Sequence, residues 1–196
     1  TSHRFIAGRA TEILGAGKKV IVCHLGNGSS LSACVDGKCV DTTMGITPLD
    51  GLVMGTRCGT LDPACVEFIA NTEGKTVTQV VNMMNKQSGL MGLTGSSDMR
   101  DVTARYDAGD EDAKLAIEMW TYTIQKYIGS YAAAMGGVDM IVFTAGIGEN
   151  NGQLRARVME NFEYLGAKLD PAKNAACADG HATECVISTD DSKVKI

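Results

Sequence analysis

The fold of this chain is decided by residues 18–43, which read KKVIVCHLGNGSSLSACVDGKCVDTT. An apolar, β-branched run predicts a buried strand over Lys18–Leu25. Two further strands, Ser30–Val35 and Lys38–Thr43, are predicted on either side of Asp36-Gly37, because Asp-Gly between two apolar runs is a strong hairpin signal. The first third of the chain is therefore predicted to be three antiparallel strands joined by two tight turns.

The remaining elements follow from apolar periodicity and from helix start and stop signals. Helices alternate with strands after the three hairpin-linked strands, whereas a Rossmann pattern links its first strands by helical crossovers. We predict an α/β fold with a mixed sheet, in which three antiparallel strands are followed by parallel strands and flanked by helices. The predicted elements are helices over 4–14, 63–71, 76–86, 98–106, 110–135 and 150–165, strands over 140–144, 183–189 and 193–196, and loops over 44–62 and 88–97.

Composition and charge exclude several classes of protein. The formal net charge of −5 argues against a nucleic-acid-binding surface, which is normally basic. No apolar run approaches the ~20 residues that a membrane helix needs. The seven cysteines contain no Cys-x-x-Cys pair, which favours reduced thiols over a disulfide framework or a zinc site. We therefore predict a cytoplasmic protein without a nucleic-acid or membrane partner.

Both ends of the chain suggest a piece of a longer protein. The opening residues, Thr1-Ser2-His3, carry no leader and no initiator Met. The last five, Ser192–Ile196, have the alternation of a strand that is just beginning. We expect residues 1–196 to form a single lobe that is truncated at both ends.

Three segments are dense in glycine: His24–Ser30, Thr94–Asp101 and Phe143–Asn150. The first and third each follow a predicted strand, where glycine lets bare backbone N–H groups approach an anion or a flat ligand. In the first segment, the side chains of His24, Ser29 and Ser30 could add donors. The two strand-end loops predict one cleft that holds a nucleotide. The structural alternatives stay open, namely a hairpin turn with positive φ in the first segment and a plain strand-to-helix turn in the third.

A single arginine, Arg57, lies between glycines in the segment Met54–Pro63. Its planar donor fork suits a phosphoryl group in transit. The alternative is an ordinary loop arginine paired with Asp62 or another carboxylate, and we favour the functional interpretation. For Asp98-Met99-Arg100 the structural interpretation is the stronger one when the segment is taken alone, since Ser97 or Asp98 is a good helix N-cap and a local ion pair is expected.

Taken together and in this order, these segments resemble the acetokinase family over essentially the whole chain. Thr1–His3 is similar to the tail of the family's His-Gly-Thr-Ser-His motif. His24–Ser30 is similar to its phosphate loop, and Met54–Pro63 to its arginine signature. Asp98–Arg100 and Gly146–Asn150 are similar to its adenosine-contacting segments. The resemblance implies the actin-like ATPase fold of acetate and sugar kinases, Hsp70 and actin, with two lobes and a nucleotide between them.

The resemblance also implies a reaction, MgATP + acetate ⇌ ADP + acetyl phosphate, by direct in-line transfer, with ATP/ADP and Mg²⁺ as cofactors. Arg57 would stabilise the equatorial oxygens of the transferring phosphoryl group as the catalytic residue, and Pro48 would help to wall the acyl pocket. The implied nucleotide-binding residues are His24, Leu25, Gly26, Asn27, Gly28, Asp98, Met99, Arg100, Gly146, Ile147, Gly148, Glu149 and Asn150.

Several functional groups of the family fall outside this chain. They are a catalytic aspartate, a second arginine and a metal-linked asparagine in the amino-terminal lobe, the first histidine of the motif before Thr1, and a magnesium-linked glutamate after Ile196. We therefore expect no metal ligand here, a nucleotide-binding lobe that is inactive alone, and a homodimer formed through this lobe. Two alternatives remain open, a kinase for propionate or butyrate and a non-catalytic actin-like nucleotide-binding module.

Overall fold

The computed structural model describes residues 1–177 and 184–196 of the chain. Its contacts fall into two compact units. Unit 1 comprises Thr1–Thr43 and Thr121–Ile196, and unit 2 comprises Met44–Trp120. Within the described ranges, no helix combines the length and the apolar character that a membrane span requires.

The strands and helices begin and end close to the predicted positions in most of the chain. The strands are β1 Lys19–Leu25, β2 Ser29–Val35, β3 Lys38–Thr42 and β4 Met140–Thr144. The α-helices are α1 Ser2–Leu14, α2 Ala64–Glu73, α3 Val77–Lys86, α4 Gly89–Thr94, α5 Met99–Asp107, α6 Glu111–Met135, α7 Ala145–Asn150, α8 Gly152–Met159 and α9 Pro171–Ala176, with a 3₁₀ turn over Glu163–Leu165.

Unit 1 is built on a four-stranded sheet of order β3-β2-β1-β4. The pairs β1–β2 and β2–β3 are antiparallel, and β1–β4 is parallel. The turn between β2 and β3 has positive φ at Asp36 (51°) and Gly37 (72°), as a tight Asp-Gly hairpin requires. Helix α1 packs its buried Ala7 and Ala10 against the sheet. The predicted mixed sheet is therefore confirmed.

In unit 2 the long loop over 44–62 is less exposed than its glycines suggest. Its centre, Leu52–Met54, is buried in the unit's core. Helix α3 follows with a capping box, in which Thr76 accepts a hydrogen bond from the Gln79 N–H and the Gln79 side chain accepts one from the Thr76 N–H. The predicted loop over 88–97 is wrong in part, because it contains the short helix α4.

Three predictions for unit 1 are corrected. The single helix over 150–165 is wrong, because helix α7 already begins at Ala145 and Asn151 caps a separate helix α8 by accepting from the Leu154 N–H. The strands predicted over 183–189 and 193–196 are present only as isolated bridges, Leu169 to Ser188 and Met140 to Lys195, and residue 183 lies outside the described residues. No helix is predicted from the sequence at the position of α9.

The cysteines also differ from expectation at one pair. Cys177 and Cys185 form a disulfide, with Cα atoms 6.6 Å apart, so the prediction of reduced thiols is wrong for these two. Cys23, Cys34, Cys39, Cys58 and Cys65 are free. Burial raises the pKa of the Cys23 and Cys34 thiols, which keeps them protonated and poorly nucleophilic.

Candidate functional site

The two strand-end loops of unit 1 lie side by side. Because β1 and β4 are parallel neighbours, His24 and Thr144 are aligned at the same edge of the sheet. A Cβ placed on Gly26 would lie 3.8 Å from the Cβ of Ala145. His24, Thr144, Ala145 and Gly148–Asn150 are among the residues that line a cleft of about 920 Å³. The first loop contributes only His24 to this cleft, so one nucleotide cleft lined by both loops stays a prediction.

The loop between β1 and β2 is held by its own polar groups. Ser29 Oγ donates to the Gly26 carbonyl at 2.8 Å and accepts from the Gly26 N–H at 3.3 Å. None of Gly26, Asn27 and Gly28 has a positive φ, so the structural alternative of a hairpin turn with positive φ is not observed. Glycine at position 26 is explained instead by a close approach, since a Cβ there would lie 3.3 Å from the Gly28 carbonyl oxygen.

Beside this loop, two histidines contribute polar ring nitrogens. The Nε2 and Nδ1 atoms of His3 lie 2.8 Å from the hydroxyls of Ser30 and Ser32, respectively. Burial, and then the neighbouring His24 ring at 5.8 Å, lower the pKa of His3, so its ring is neutral at pH 7. His24 Nδ1 is buried and has no hydrogen-bond partner among the described residues.

These contacts show which groups of the loop are already hydrogen-bonded or buried within the protein and which are left for a ligand. Ser29 and Ser30 are buried and their hydroxyls bind protein groups, so they do not act as the extra ligand donors that the sequence suggested. Leu25 is also buried, which leaves only its main chain for a ligand. The unpaired Nδ1 of His24 is itself buried, so a ligand would have to approach the exposed part of this half-buried ring.

The Gly146–Asn150 segment is itself helical. Glu149 Oε1 accepts from the Thr144 hydroxyl and from the Ala145 N–H, both at 2.9 Å, so a carboxylate already occupies the N-terminus of α7. A phosphate at this helix end would be repelled by the Glu149 carboxylate, which favours adenosine of the two ligands predicted for this turn. An apolar, flat ligand remains compatible, since a Cβ added at Gly146 would meet nothing within 4 Å.

In unit 2, the structure brings Arg57 and Pro48 together. Arg57 Nη1 donates to the Pro48 carbonyl at 3.3 Å and contacts the Met54 sulfur at 3.4 Å. Within the described part of the chain, no carboxylate forms an ion pair with Arg57, and Asp62 instead accepts from the Ala64 N–H at the start of α2. The alternative of a surface ion pair with Asp62 is not observed.

The loop around Arg57 is clamped by main-chain hydrogen bonds. The Met54 N–H donates to the Arg57 carbonyl at 3.1 Å, which closes a turn, and the Leu90 N–H donates to the Met54 carbonyl at 2.9 Å. The Ser88 N–H donates to the Thr56 carbonyl at 3.0 Å. Gly89 has a φ of +60°, and a Cβ there would lie 2.6 Å from the Arg57 carbonyl oxygen. The arginine is thus presented by a fixed backbone.

Asp98 and Arg100 form the cap and local ion pair that the sequence suggested. Asp98 accepts from the Arg100 N–H at 2.9 Å at the start of α5, and the Arg100 guanidinium donates to the same carboxylate. Hydrogen bonds from the side chain and then the backbone of Arg100 lower the pKa of Asp98 to about 2. Met99 is buried, so only its main chain is left for a ligand.

The described residues include no group of three or more His, Cys, Asp or Glu side chains that could hold a metal ion.

The chain matches the acetokinase family over residues 1–196. It is 54% identical over 199 residues to an acetate kinase of Carboxydothermus hydrogenoformans, a match that covers 100% of this chain and 49% of that protein. The solved structure of Porphyromonas gingivalis acetate kinase is 42% identical, with a TM-score of 0.93, and the match covers 99% of this chain and 49% of that one. A propionate kinase from Francisella tularensis is 43% identical, with a TM-score of 0.89 and coverage of 98% and 49%. The chain thus spans about half the length of the relatives it matches.

Proposed function

Since this chain belongs to the acetokinase family, we propose that the protein containing it transfers the γ-phosphoryl group of ATP reversibly to acetate, giving acetyl phosphate and ADP. Its mixed sheet and structural neighbours confirm the predicted fold class, an actin-like ATPase lobe. The observation that carries the proposal is Arg57, a guanidinium without a carboxylate partner in a clamped loop of the described chain.

Arg57 is the catalytic residue of this proposal. Phosphoryl transfer spreads negative charge over three equatorial oxygens, and its catalysis depends on positioning and charge stabilisation. A half-buried guanidinium held by the Pro48 carbonyl keeps further N–H donors free for those oxygens. The carbonyl of Pro48 fixes the direction of the donor fork, and the proline ring helps to wall the acyl group.

The strand-end loops of unit 1 bind the nucleotide in this proposal. His24 and the N–H groups of Gly26–Gly28 hold phosphate oxygens, and the open face at Gly146, with Ile147 and Asn150, contacts the adenosine. In unit 2, the main chain of Asp98–Arg100 and the exposed Arg100 guanidinium contact adenosine in this proposal, as the family resemblance implies. Mg²⁺, when bound, supplies charge neutralisation of the phosphates.

A second acyl acceptor is supported by one observation. The Francisella tularensis propionate kinase is similar to 98% of this chain. The chain therefore carries features common to kinases named for two different acids, and Pro48 is the one acyl-pocket residue that we assign. We place acetate first because the C. hydrogenoformans relative, at 54% identity, is named for it.

The test uses the full-length protein that carries this chain. Acyl phosphate is trapped with hydroxylamine after incubation with MgATP and, in turn, acetate, propionate or butyrate. Arg57→Ala should lower kcat by at least ~10²-fold, the cost of removing one transition-state donor. Arg4→Ala, at an exposed arginine in α1, is the matched control and should leave kcat unchanged.

Each outcome selects one function. Faster product formation with acetate supports the proposal, and faster formation with propionate or butyrate transfers it to that acid. No product with any acid, while ADP still binds, favours a non-catalytic nucleotide-binding module. Near-normal turnover of Arg57→Ala would remove Arg57 from the mechanism.

We also propose that residues 1–196 are inactive alone and that the full-length protein is a homodimer through this lobe. Both statements rest on the family resemblance. The same hydroxylamine assay on the isolated chain, and light scattering after size-exclusion chromatography of the full-length protein, test them directly.

A further inference from the structure

Arg155, on helix α8, is a buried cation that donates hydrogen bonds to the main chain of the Gly146–Asn150 segment. The residue is 3% exposed. Its Nη1 donates to the carbonyl oxygens of Gly148 and Glu149 at 2.8 and 2.6 Å. Its Nε donates to Oδ1 of Asn174 at 2.7 Å, and its Nη2 to the Asn174 carbonyl at 2.9 Å. Every nitrogen of the guanidinium therefore donates to a neutral oxygen.

No carboxylate compensates this charge among residues 1–177 and 184–196, where the hydrogen-bond partners of Arg155 are all neutral oxygens. Burial lowers the pKa of Arg155, which reflects the cost of desolvating the cation. Where a buried charge serves only packing, an apolar side chain of similar volume is often as good or better for stability. The buried guanidinium thus indicates that the carbonyl groups it binds must be held at a fixed position.

Those atoms are the last carbonyl groups of α7. The carbonyls at a helix C-terminus have no intrahelical partner, and a cation there also matches the negative end of the helix dipole. Arg155 satisfies Gly148 and Glu149, and Asn174 extends the contact by donating from Nδ2 to the Gly152 carbonyl at 2.8 Å, at the start of α8. Asn174 itself is 5% exposed.

The segment has two different faces. On one face a Cβ added at Gly148 would lie 3.6 Å from the Cβ of Leu25, so the backbone rests on strand β1. At Gly146 the space is open. We infer that Arg155, supported by Asn174, is a positioning residue. It fixes the position of the α7 main chain, and so of the open face at Gly146 that contacts the nucleotide. The inference rests on the nucleotide-binding role given to the segment under the proposed function.

The experiment compares four variants of the full-length protein: Arg155→Met, Arg155→Lys, Asn174→Leu and the double variant Arg155→Met/Asn174→Leu. Arg157→Lys, two residues further along α8, is the matched control for Arg155→Lys. Titration of each variant with ADP gives Kd, initial rates give KM for ATP, KM for acetate and kcat, and circular dichroism identifies variants that fail to fold.

Arg155→Met should raise the Kd for ADP and the KM for ATP by at least about tenfold, ~1.4 kcal/mol, while the KM for acetate stays within about twofold. Arg155→Lys should fall between wild type and Arg155→Met, since an ammonium can reach the two α7 carbonyls but cannot also bind Asn174 in the fork geometry. The double variant should bind ADP no more weakly than Arg155→Met, because the two residues act through one contact.

Two results overturn the inference: folded Arg155→Met with an unchanged Kd for ADP, or a parallel rise in the KM values for ATP and acetate. If Arg155→Met and Arg155→Lys both fail to fold, Asn174→Leu decides, since it removes the Oδ1 atom that holds Nε of Arg155. A higher Kd for ADP with an unchanged KM for acetate supports the inference, and an unchanged Kd overturns it. Failure of the wild-type protein to bind ADP would instead contradict the proposed function.

Discussion

Replacing Gly89 by alanine should cost far more stability than the same change at the other end of helix α4. Gly89 is the first residue of the helix, with φ at +60°, and Gly95 follows the helix with φ at +75°, so both substitutions put an L side chain into the left-handed region. That strain is about 1–2 kcal/mol at either position. The surroundings differ, since nothing lies within 4 Å of a Cβ at Gly95, whereas a Cβ at Gly89 would contact the Met54 carbonyl and lie 2.6 Å from the Arg57 carbonyl oxygen.

Because the neighbours at Gly89 are backbone atoms, they cannot move aside as a flexible side chain would. Overpacking of this kind costs about 1–3 kcal/mol in addition to the strain. We therefore expect Gly89→Ala to lower the free energy of unfolding by about 2–5 kcal/mol and Gly95→Ala by about 1–2 kcal/mol. Urea unfolding followed by circular dichroism measures both, with equal m-values showing that the folded and unfolded states are comparable.

The same variants report on function, because the displaced carbonyls belong to the Arg57 loop. Gly89→Ala should also lower the rate of acyl phosphate formation, and Gly95→Ala should leave it near wild type. Equal losses of stability for the two variants would refute the close approach of Gly89 to the loop. A full loss of stability without any loss of rate would refute its link to Arg57.

Two further predictions concern stability. The lowered pKa of His3 means that the folded state resists protonation, so its contribution is present above the unfolded pKa of about 6.5 and is lost as pH falls below it. Between pH 7.5 and 5.5, wild type should therefore lose more unfolding free energy than His3→Gln, and an equal loss in both would contradict the burial of a neutral ring. Thr76→Ala removes the cap of α3 and should cost about 1 kcal/mol in urea unfolding. Thr78→Ala, at an exposed site inside the same helix, should cost nothing, and equal effects would argue against the capping box.

Local signals in the sequence predicted much of this fold. The β-branched run of β1 and the Asp36-Gly37 turn depend on neighbouring residues, and both are present as predicted. The cap and ion pair of Asp98 and Arg100 span three positions and were also predicted. In each case the interacting residues lie within one turn or one strand. Residues so close in sequence are necessarily close in space, so the contact can be predicted from the sequence.

The missed features depend on residues that are far apart in the chain. His3 could not be interpreted from its neighbours, because its partners Ser30 and Ser32 are 27 and 29 positions away. Arg155 meets Asn174 across 19 positions. The early start of α7 has a shorter-range cause, the reach of Glu149 back to Ala145, but the two glycines of the segment have low helix propensity and hid it.

The main-chain clamp on the Arg57 loop has a thermodynamic consequence for ligand binding. Ordering a free loop residue costs about 1–2 kcal/mol of conformational entropy, which would be subtracted from the affinity of any ligand that had to impose the order. The bonds from Met54, Ser88 and Leu90 join the loop to the protein's own carbonyl groups, so folding itself orders this loop. Calorimetric titration with acyl phosphate or acetate should accordingly show a binding heat capacity that reflects the surface covered, without the larger negative value that marks a segment folding on contact.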